Sequence, residues 1–270
     1  MSYANFKPLI WSKHIQHELP KFTVFEQDCD YQFSGEAGEG KTVKILGVAR
    51  PTIGTYTGAD IGAPETVPDS SVILPIDQAK FFNFMVDDVD EAQSVEGLMP
   101  ALMTESTRAM AEQRDTYLAG LAALGAGAFS TSTAVTTKAN AKTLIDGAIQ
   151  KLWEEGVSQK DDVTIYLNPK VYLLFQEYIT ETKTDNDAAI ASGVLGRYAG
   201  AKIKMSNNFY NDGTDDYLFV KTSKAIAFCG GIDKVEAYRP QGLFSDAVKG
   251  LNTYGGKVVR PKELYVMKAH

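Results

Sequence analysis

Apolar and polar positions change period along this chain. From Lys41 to Val86 the pattern is β, with KTVKILGVA running outward and SSVILPIDQAKFFNFMV returning around a Gly-, Pro- and Thr-rich tip at 51–69. A long two-stranded ribbon is marginal alone in water, so it has to lie against its own body or another copy; the exposed edge and the tip favour another copy. From Pro100 the period becomes helical. Met103, Met110, Tyr117 and Leu124 recur every seven residues with Leu118 and Leu121 alongside, while Glu105, Arg108, Glu112 and Asp115 fall on the opposite side. Proline suits a first helical position and Gly125 is a natural stop. Arg108 sits at ion-pair spacing from Glu105 and Glu112, worth about 0.2–0.5 kcal/mol each. Thr107 and Arg114 interrupt the stripe, which predicts a helix lying across a sheet rather than a coiled-coil seam.

Residues 1–40 have little core-forming pattern beyond a short helix from Pro8 to Leu19, and such a segment packs on something else. The Gly-, Ser- and Thr-rich connector after Leu124 marks a boundary. Beyond it the pattern predicts a helix from about Ala139 to Glu155 stopped by Gly156, and a strand Val163–Leu167. Asn168-Pro169 then caps a helix VYLLFQEYI. Lys202–Met205 alternates as a strand, Asn211-Asp212-Gly213 makes a turn, and Tyr217–Val220 and Ala225–Cys229 read as short strands. The tail reads as a strand, a short amphipathic stretch, and strands around Gly255-Gly256. The expected fold class is α+β.

Composition narrows the function. The 270 residues, 44% hydrophobic and 23% charged, suit one large core or two unequal lobes. A formal charge of -7 argues against a protein whose main task is gripping nucleic acid. The tail, where Arg239, Lys249, Lys257, Arg260, Lys262 and Lys268 outnumber the acids, is the one locally basic region. Cys29 and Cys229 are too few and too far apart for a disulfide framework or zinc site, and read as free thiols. The first residues lack a signal-peptide pattern and no run nears the roughly 18 apolar residues of a membrane span. The expectation is a soluble, intracellularly made protein with no membrane contact.

Candidate chemistry is sparse. Gly35-Glu36-Ala37-Gly38-Glu39-Gly40-Lys41-Thr42 matches the phosphate-loop pattern, but that mechanism needs Lys41 and Thr42 to open a helix. The β-rich run that follows, and the two carboxylates inside an anion cradle, make a Gly-rich turn before a strand the better reading. A nucleotide-binding enzyme using Gly35–Thr42 stays as an alternative. His14 and His17 have metal-ligand spacing on a helix without a third ligand. Asp87, Asp88 and Asp90 lack the spacing and glycine of a calcium loop and suit a helix start. The aromatic stripe Tyr172, Phe175 and Tyr178 reads as core. No catalytic, cofactor or metal residue is assigned. A carbohydrate-binding β module is disfavoured by the long helix.

The runs DQAKFFNFMVDDVDEAQ (77–93), GRYAGAKIKMSNN (196–208) and YRPQGLFSDAVKGLNTYGGKVVRP (238–261), with the opening NFKPLIWSKHI, resemble tailed-bacteriophage major capsid proteins of the Hong Kong ninety-seven type. The resemblance implies an N-terminal arm (1–40) and an extended β loop with its return strand (41–86) that reaches over a neighbouring subunit. It further implies a peripheral domain with a long spine helix (87–136), an axial domain (137–237), and a tail (238–270) returning to the peripheral domain. The implied function is a coat protein, not an enzyme, forming hexamers and pentamers of itself. These close into an icosahedral virion capsid around double-stranded DNA, which is touched nonspecifically, after assembly in the host bacterial cytoplasm. A separate scaffolding protein, a portal and a decoration protein are the implied partners. Family-like sequence begins within the first residues, so the scaffold is expected to be a separate chain. No lysine lies between Lys44 and Lys80, so the isopeptide cross-link that some relatives make near the loop tip is not expected. A nanocompartment shell of the same fold, enclosing enzymes instead of DNA, is the alternative.

Overall fold

The computed structural model describes residues 24–34, 42–48, 53, 55, 69–87, 98–159, 161–181 and 196–270. Eleven strands and three α-helices among these form a mixed architecture of three separate sheets. The first is a ribbon, β1 (Thr42–Val48) paired antiparallel with β2 (Asp69–Pro75). The second has three antiparallel strands in the order β3 (Gln78–Asp87), β10 (Ser245–Val258), β9 (Ile226–Tyr238). The third has six, in the order β4 (Ala128–Phe129), β11 (Leu264–Ala269), β8 (Asp216–Thr222), β5 (Val163–Leu167), β7 (Ala201–Met205), β6 (Arg197–Tyr198).

Helix α1 (Leu98–Gly125) crosses from one sheet to the next. It begins two residues before the expected Pro100 and ends at the expected Gly125. Its first half packs Met103, Met110 and Ala111 on Phe82, Phe84 and Val248 of the three-stranded sheet. Its second half packs Leu118, Ala119 and Ala122 on Tyr166, Phe219 and Val266 of the six-stranded sheet. The buried line runs through positions 103, 107, 110, 114, 118 and 122, slower than the seven-residue repeat. A straight helix drifts by ~20° per heptad, so by the third heptad Leu124 has rotated out and is 79% exposed. The small side chains of Ala119, Ala122 and Ala123 take over the contact. Two polar residues assigned to the wrong environment follow the same rotation. Asp115, expected on the solvated face, is fully buried, and Arg114, read as an interruption, lies in the contact line.

The six-stranded sheet is covered on both faces. Helix α2 (Lys138–Glu154), capped by the Thr137 hydroxyl accepting from Asn140 N–H, turns Leu144, Ile145, Ala148 and Ile149 onto one face. It ends before Gly156, whose φ of 95° needs a residue without Cβ. Helix α3 (Pro169–Glu181) is capped by Asn168, whose Oδ1 accepts from Val171 N–H at 2.9 Å. Strand alternation divides the sheet: Ile165, Leu167, Val220 and Met267 face α2 and α3, while Tyr166, Phe219 and Val266 face α1. Of the aromatic stripe expected in the core, Phe175 is fully buried, while Tyr172 and Tyr178 are half-buried beside it.

Three strand expectations are corrected. The return run does not stay with the ribbon: it breaks after Pro75, and β3 pairs with β10 from Gln78 to Asp87. Ala225–Cys229 is only the start of a longer strand, because β9 continues to Tyr238 across a bulge opposite Asn252 and Tyr254. The stretch taken as amphipathic in the tail is the first half of β10. Within the tail, β11 lies in the six-stranded sheet between β4 and β8, with Leu264 and Val266 against α1.

Candidate functional site

Two apolar surfaces are left open by this packing. Along the ribbon Val43, Ile45 and Leu74 turn inward onto Ala227 and Cys229 of β9. The paired residues Lys44 and Ile73, then Leu46 and Ser71, turn outward. Leu46 is 68% exposed and Ile73 is 58% exposed. The described base of the ribbon therefore lies on its own body, against the expectation of another copy, because inward alternation meets the small residues of β9; only its outer face is free for a neighbour.

The second surface is the face of the three-stranded sheet away from α1. There Phe81 pairs with Leu251, Asn83 with Lys249, and Met85 with Ala247. Phe81 is 79% exposed and Met85 is 61% exposed. Beside Phe81 runs a shallow trough of ≈ 410 Å³ lined by Phe81, Asn83, Gly250 and Leu251 and bordered by the Lys249–Glu236 ion pair at 2.9 Å. Exposed aromatic and long aliphatic side chains in one patch mark an interaction surface. The outer edge of β3 has no partner strand among the described residues.

Residues 24–34 are tied to the body by buried polar groups that sequence reasoning missed. Asp115 accepts from Val24 N–H at 3.1 Å and Phe25 N–H at 3.3 Å. Burial outweighs those bonds and pushes its carboxyl up to about 6. Arg114 pairs with Glu26 at 3.0 Å, donates to Asn252 Oδ1 at 3.2 Å, and lies over the rings of Phe228 and Tyr254. Asp28 accepts from Lys204 at 2.6 Å and from the Tyr166 hydroxyl; burial raises its carboxyl, but those bonds together hold it below the usual range. The buried Lys221 ammonium donates to the Asp28 carbonyl oxygen. Asp30 then bridges to Ala227 alongside β9. Arg114 at an apolar position of the helical stripe was the available signal: a buried cation demands a buried anion nearby.

Among the described residues the chemical candidates do not assemble into a reactive site. Of Gly35–Thr42 only Thr42 is among the described residues, and it opens strand β1, not a helix. His14, His17, Asp88 and Asp90 lie outside the described residues, and Asp87 ends β3. Among the described residues no three metal-ligating side chains cluster, and both cysteines are free and buried. Ser132, Asp215 and His270 do meet, but Ser132 Oγ and Asp215 Oδ1 both contact Nδ1 of His270, at 3.2 Å and 3.0 Å. A catalytic relay needs its partners on opposite ring nitrogens. The basic tail is largely neutralised: Arg239 pairs with Asp246, Lys249 with Glu236, Arg260 with Glu263 and Lys262 with Glu155. Lys268 lies over the Tyr217 ring at 5.0 Å. Among the described residues no helix is long and apolar enough to cross a membrane.

No family model and no curated protein sequence matches the chain. Solved structures do. A chain of Mycobacterium phage Che8 is 29% identical, with a TM-score of 0.79 over 91% of this chain and 90% of that one. The capsid structure of cyanophage P-SCSP1u matches at 17% identity and a TM-score of 0.75, over 92% and 88%. A virus-like particle from Pyrococcus furiosus matches at 11% identity and 0.61, over 95% and 97%. The chain has the tailed-bacteriophage major capsid protein fold of the Hong Kong ninety-seven type.

Proposed function

We propose that copies of this chain form hexamers and pentamers, which close into an icosahedral shell around double-stranded DNA. The observation that carries the reading is the pair of open apolar surfaces, Leu46 with Ile73 on the ribbon and Phe81 with Met85 on the three-stranded sheet. Each lies on an element whose other face packs on the body, Val43, Ile45 and Leu74 on β9 and Phe82, Phe84 and Val248 on α1, so the exposure belongs to a built surface. The ribbon's outer face meets a neighbouring subunit, and repeated heterologous contacts around rotation axes generate closed rings. Modest contacts add up because one engaged neighbour raises the effective concentration at the next.

In this reading residues 1–40 are the arm and 41–75 the extended loop, and the return strand β3 joins the three-stranded sheet. The three-stranded sheet with α1 is the peripheral domain, and the six-stranded sheet with α2 and α3 is the axial domain. DNA contact is weak and nonspecific, consistent with the paired tail cations. A separate scaffolding protein, a portal and a decoration protein complete the particle, assembled in the host cytoplasm, and no catalytic step is required.

Expression of the chain with and without a scaffolding protein, followed by electron microscopy and native mass measurement, tests the proposal. Capsomers or closed shells are expected; monomers alone under both conditions would sink it. The likeness to the virus-like particle from Pyrococcus furiosus, over nearly the whole of both chains, keeps a nanocompartment shell as the second reading. Its mark is enzyme cargo, and not DNA, inside shells purified from the native source.

A further inference from the structure

Besides the packing of Val43, Ile45 and Leu74 on β9, the ribbon meets the body at a close main-chain contact where it joins β3. Strand β2 ends at Pro75, the chain steps across Ile76 and Asp77, and β3 begins at Gln78 opposite Tyr254 of β10. The next residue of β10, Gly255, lies directly beneath the step. A Cβ there would stand 1.9 Å from the Pro75 carbonyl oxygen, 2.7 Å from Ile76 Cα and 2.8 Å from the Pro75 carbonyl carbon. Those are backbone atoms with no rotamer to escape into, so only glycine permits the approach.

Its neighbour Gly256 is held from below. The Tyr117 hydroxyl of α1 accepts from Gly256 N–H at 3.2 Å, and lies 3.4 Å from the Gly256 carbonyl oxygen and 3.5 Å from the Asp77 carboxylate. One hydroxyl thus touches the floor strand and the step itself. A Cβ at Gly256 would meet Leu121 Cδ1 at 2.9 Å, so the helix closes the joint from that side.

We propose that Gly255, Gly256, Tyr117 and Asp77 form a seat that fixes the direction in which the β1–β2 ribbon leaves the subunit, and that this direction sets the curvature of the assembled shell. The proposal rests on the assembly reading above and adds to it the positioning residues. A ribbon crossing another strand by main-chain contact has one height above it. Raising that height tilts the ribbon, and the outer face carrying Leu46 and Ile73 then points away from its neighbour. Gly250 supplies the control. A Cβ there would stand 2.2 Å from Phe82 Cε1, an equally severe overlap in the same strand, but with a side-chain ring and away from the step.

Wild type, Gly255→Ala, Tyr117→Phe and Gly250→Ala are compared by thermal unfolding and small-angle scattering of the unassembled subunit, and by electron microscopy of the assembly products. Gly255→Ala is expected to change the maximum dimension of the subunit and to give open or mis-sized shells. Gly250→Ala is expected to lower the unfolding temperature yet retain wild-type dimensions and shell diameter. Tyr117→Phe, which keeps the ring packed on Tyr254, is expected to broaden the shell-size distribution at near-wild-type stability. Wild-type scattering and shells from Gly255→Ala, or equal assembly defects in Gly255→Ala and Gly250→Ala, overturn the seat. Failure of the wild type to assemble overturns the assembly reading instead, and the subunit scattering still decides whether Gly255 sets the ribbon's direction.

Discussion

Phe219 and Phe81 are the same residue in strands of similar length, and their surroundings separate two kinds of construction in one molecule. Phe219, in the six-stranded sheet, is fully buried, with the rings of Phe25 and Tyr166 at 5.0 Å and 4.9 Å. Phe81, in the three-stranded sheet, stands in solvent. The six-stranded sheet has helices on one face and α1 with residues 24–34 on the other, so every residue of β5 is buried. The three-stranded sheet and the ribbon each have one covered face and one bare one. The first region closes its own core; the second has an interior only on one side, and its other side becomes interior when a neighbour arrives.

The largest predicted effect tests self-sufficiency of the first region. Phe219→Ala removes a ring packed on both α1 and the N-terminal segment, and large-to-small changes of this kind cost about 3–5 kcal/mol. Denaturant unfolding of the isolated subunit should show that loss as a shift in midpoint. A shift of the size expected for a surface site would erase the contrast between the two regions.

The next effect comes from Asp115, which fastens residues 24 and 25 to α1. Its folded carboxyl titrates at about 6 against an ordinary 3.8, so the fold favours the protonated form. The contribution is therefore fully present below about pH 4 and is lost as pH rises through about 6, a swing of about 3 kcal/mol for a shift near two units. Glu26 on the segment reinforces the upward shift, while Asn208 and the Val24 and Phe25 amides oppose it. Asp28 runs the other way, since its lowered carboxyl loses stability as pH falls. The test is consequently a difference: the stability gap between wild type and Asp115→Asn should narrow as pH climbs from about 4 to 7. A gap that widens would mean that the amide bonds, not burial, dominate.

Glu26→Gln should cost less, about 1.5–3 kcal/mol, the range for a hydrogen bond to a charged group. Arg114 keeps Asp233 at 3.8 Å and its two aromatic rings. Hydrogen exchange should then rise in residues 24–34 while β5 and β8 stay protected. Loss of protection in β5 as well would show that the segment is part of the core of the six-stranded sheet, not an attachment to it.

What the sequence disclosed follows the same division. Period located α1 and α2, whose burial is one-sided, and the continuous run Val163–Leu167 with its Asn168-Pro169 cap, buried on both faces, was legible as well, all to within two residues. The pairing of β3 was not legible, because it meets β10 across a separation of more than a hundred residues and nothing in the alternation of QAKFFNFMV says which strand it will join. Proline at 75 and glycine at 255 were both visible as letters, but only the crossing explains them together. The polar joint was hidden for another reason. Asp115 looks solvated beside Glu112 until the drift of a 3.6-residue helix against a seven-residue count is carried through to the end.

The smallest effect on the subunit is the one that sharpens the comparison most. Phe81→Ser removes an exposed ring from a face that α1 does not touch, and surface changes away from caps and pairs fall within about 0.5 kcal/mol. Unfolding of the isolated subunit should thus be indistinguishable from wild type, in contrast with Phe219→Ala. Assembly should not be. A contact repeated at every subunit loses the same increment each time, so a minor change in one interface shifts the critical concentration of the whole shell. Ile73→Ser on the ribbon should act in the same direction, and the double variant reports on geometry. If Phe81 and Ile73 meet across one interface, their penalties in assembly concentration will fall short of additive, as for residues in contact. Additive penalties would place them against different neighbours, with the bare sheet face filled by something other than the ribbon.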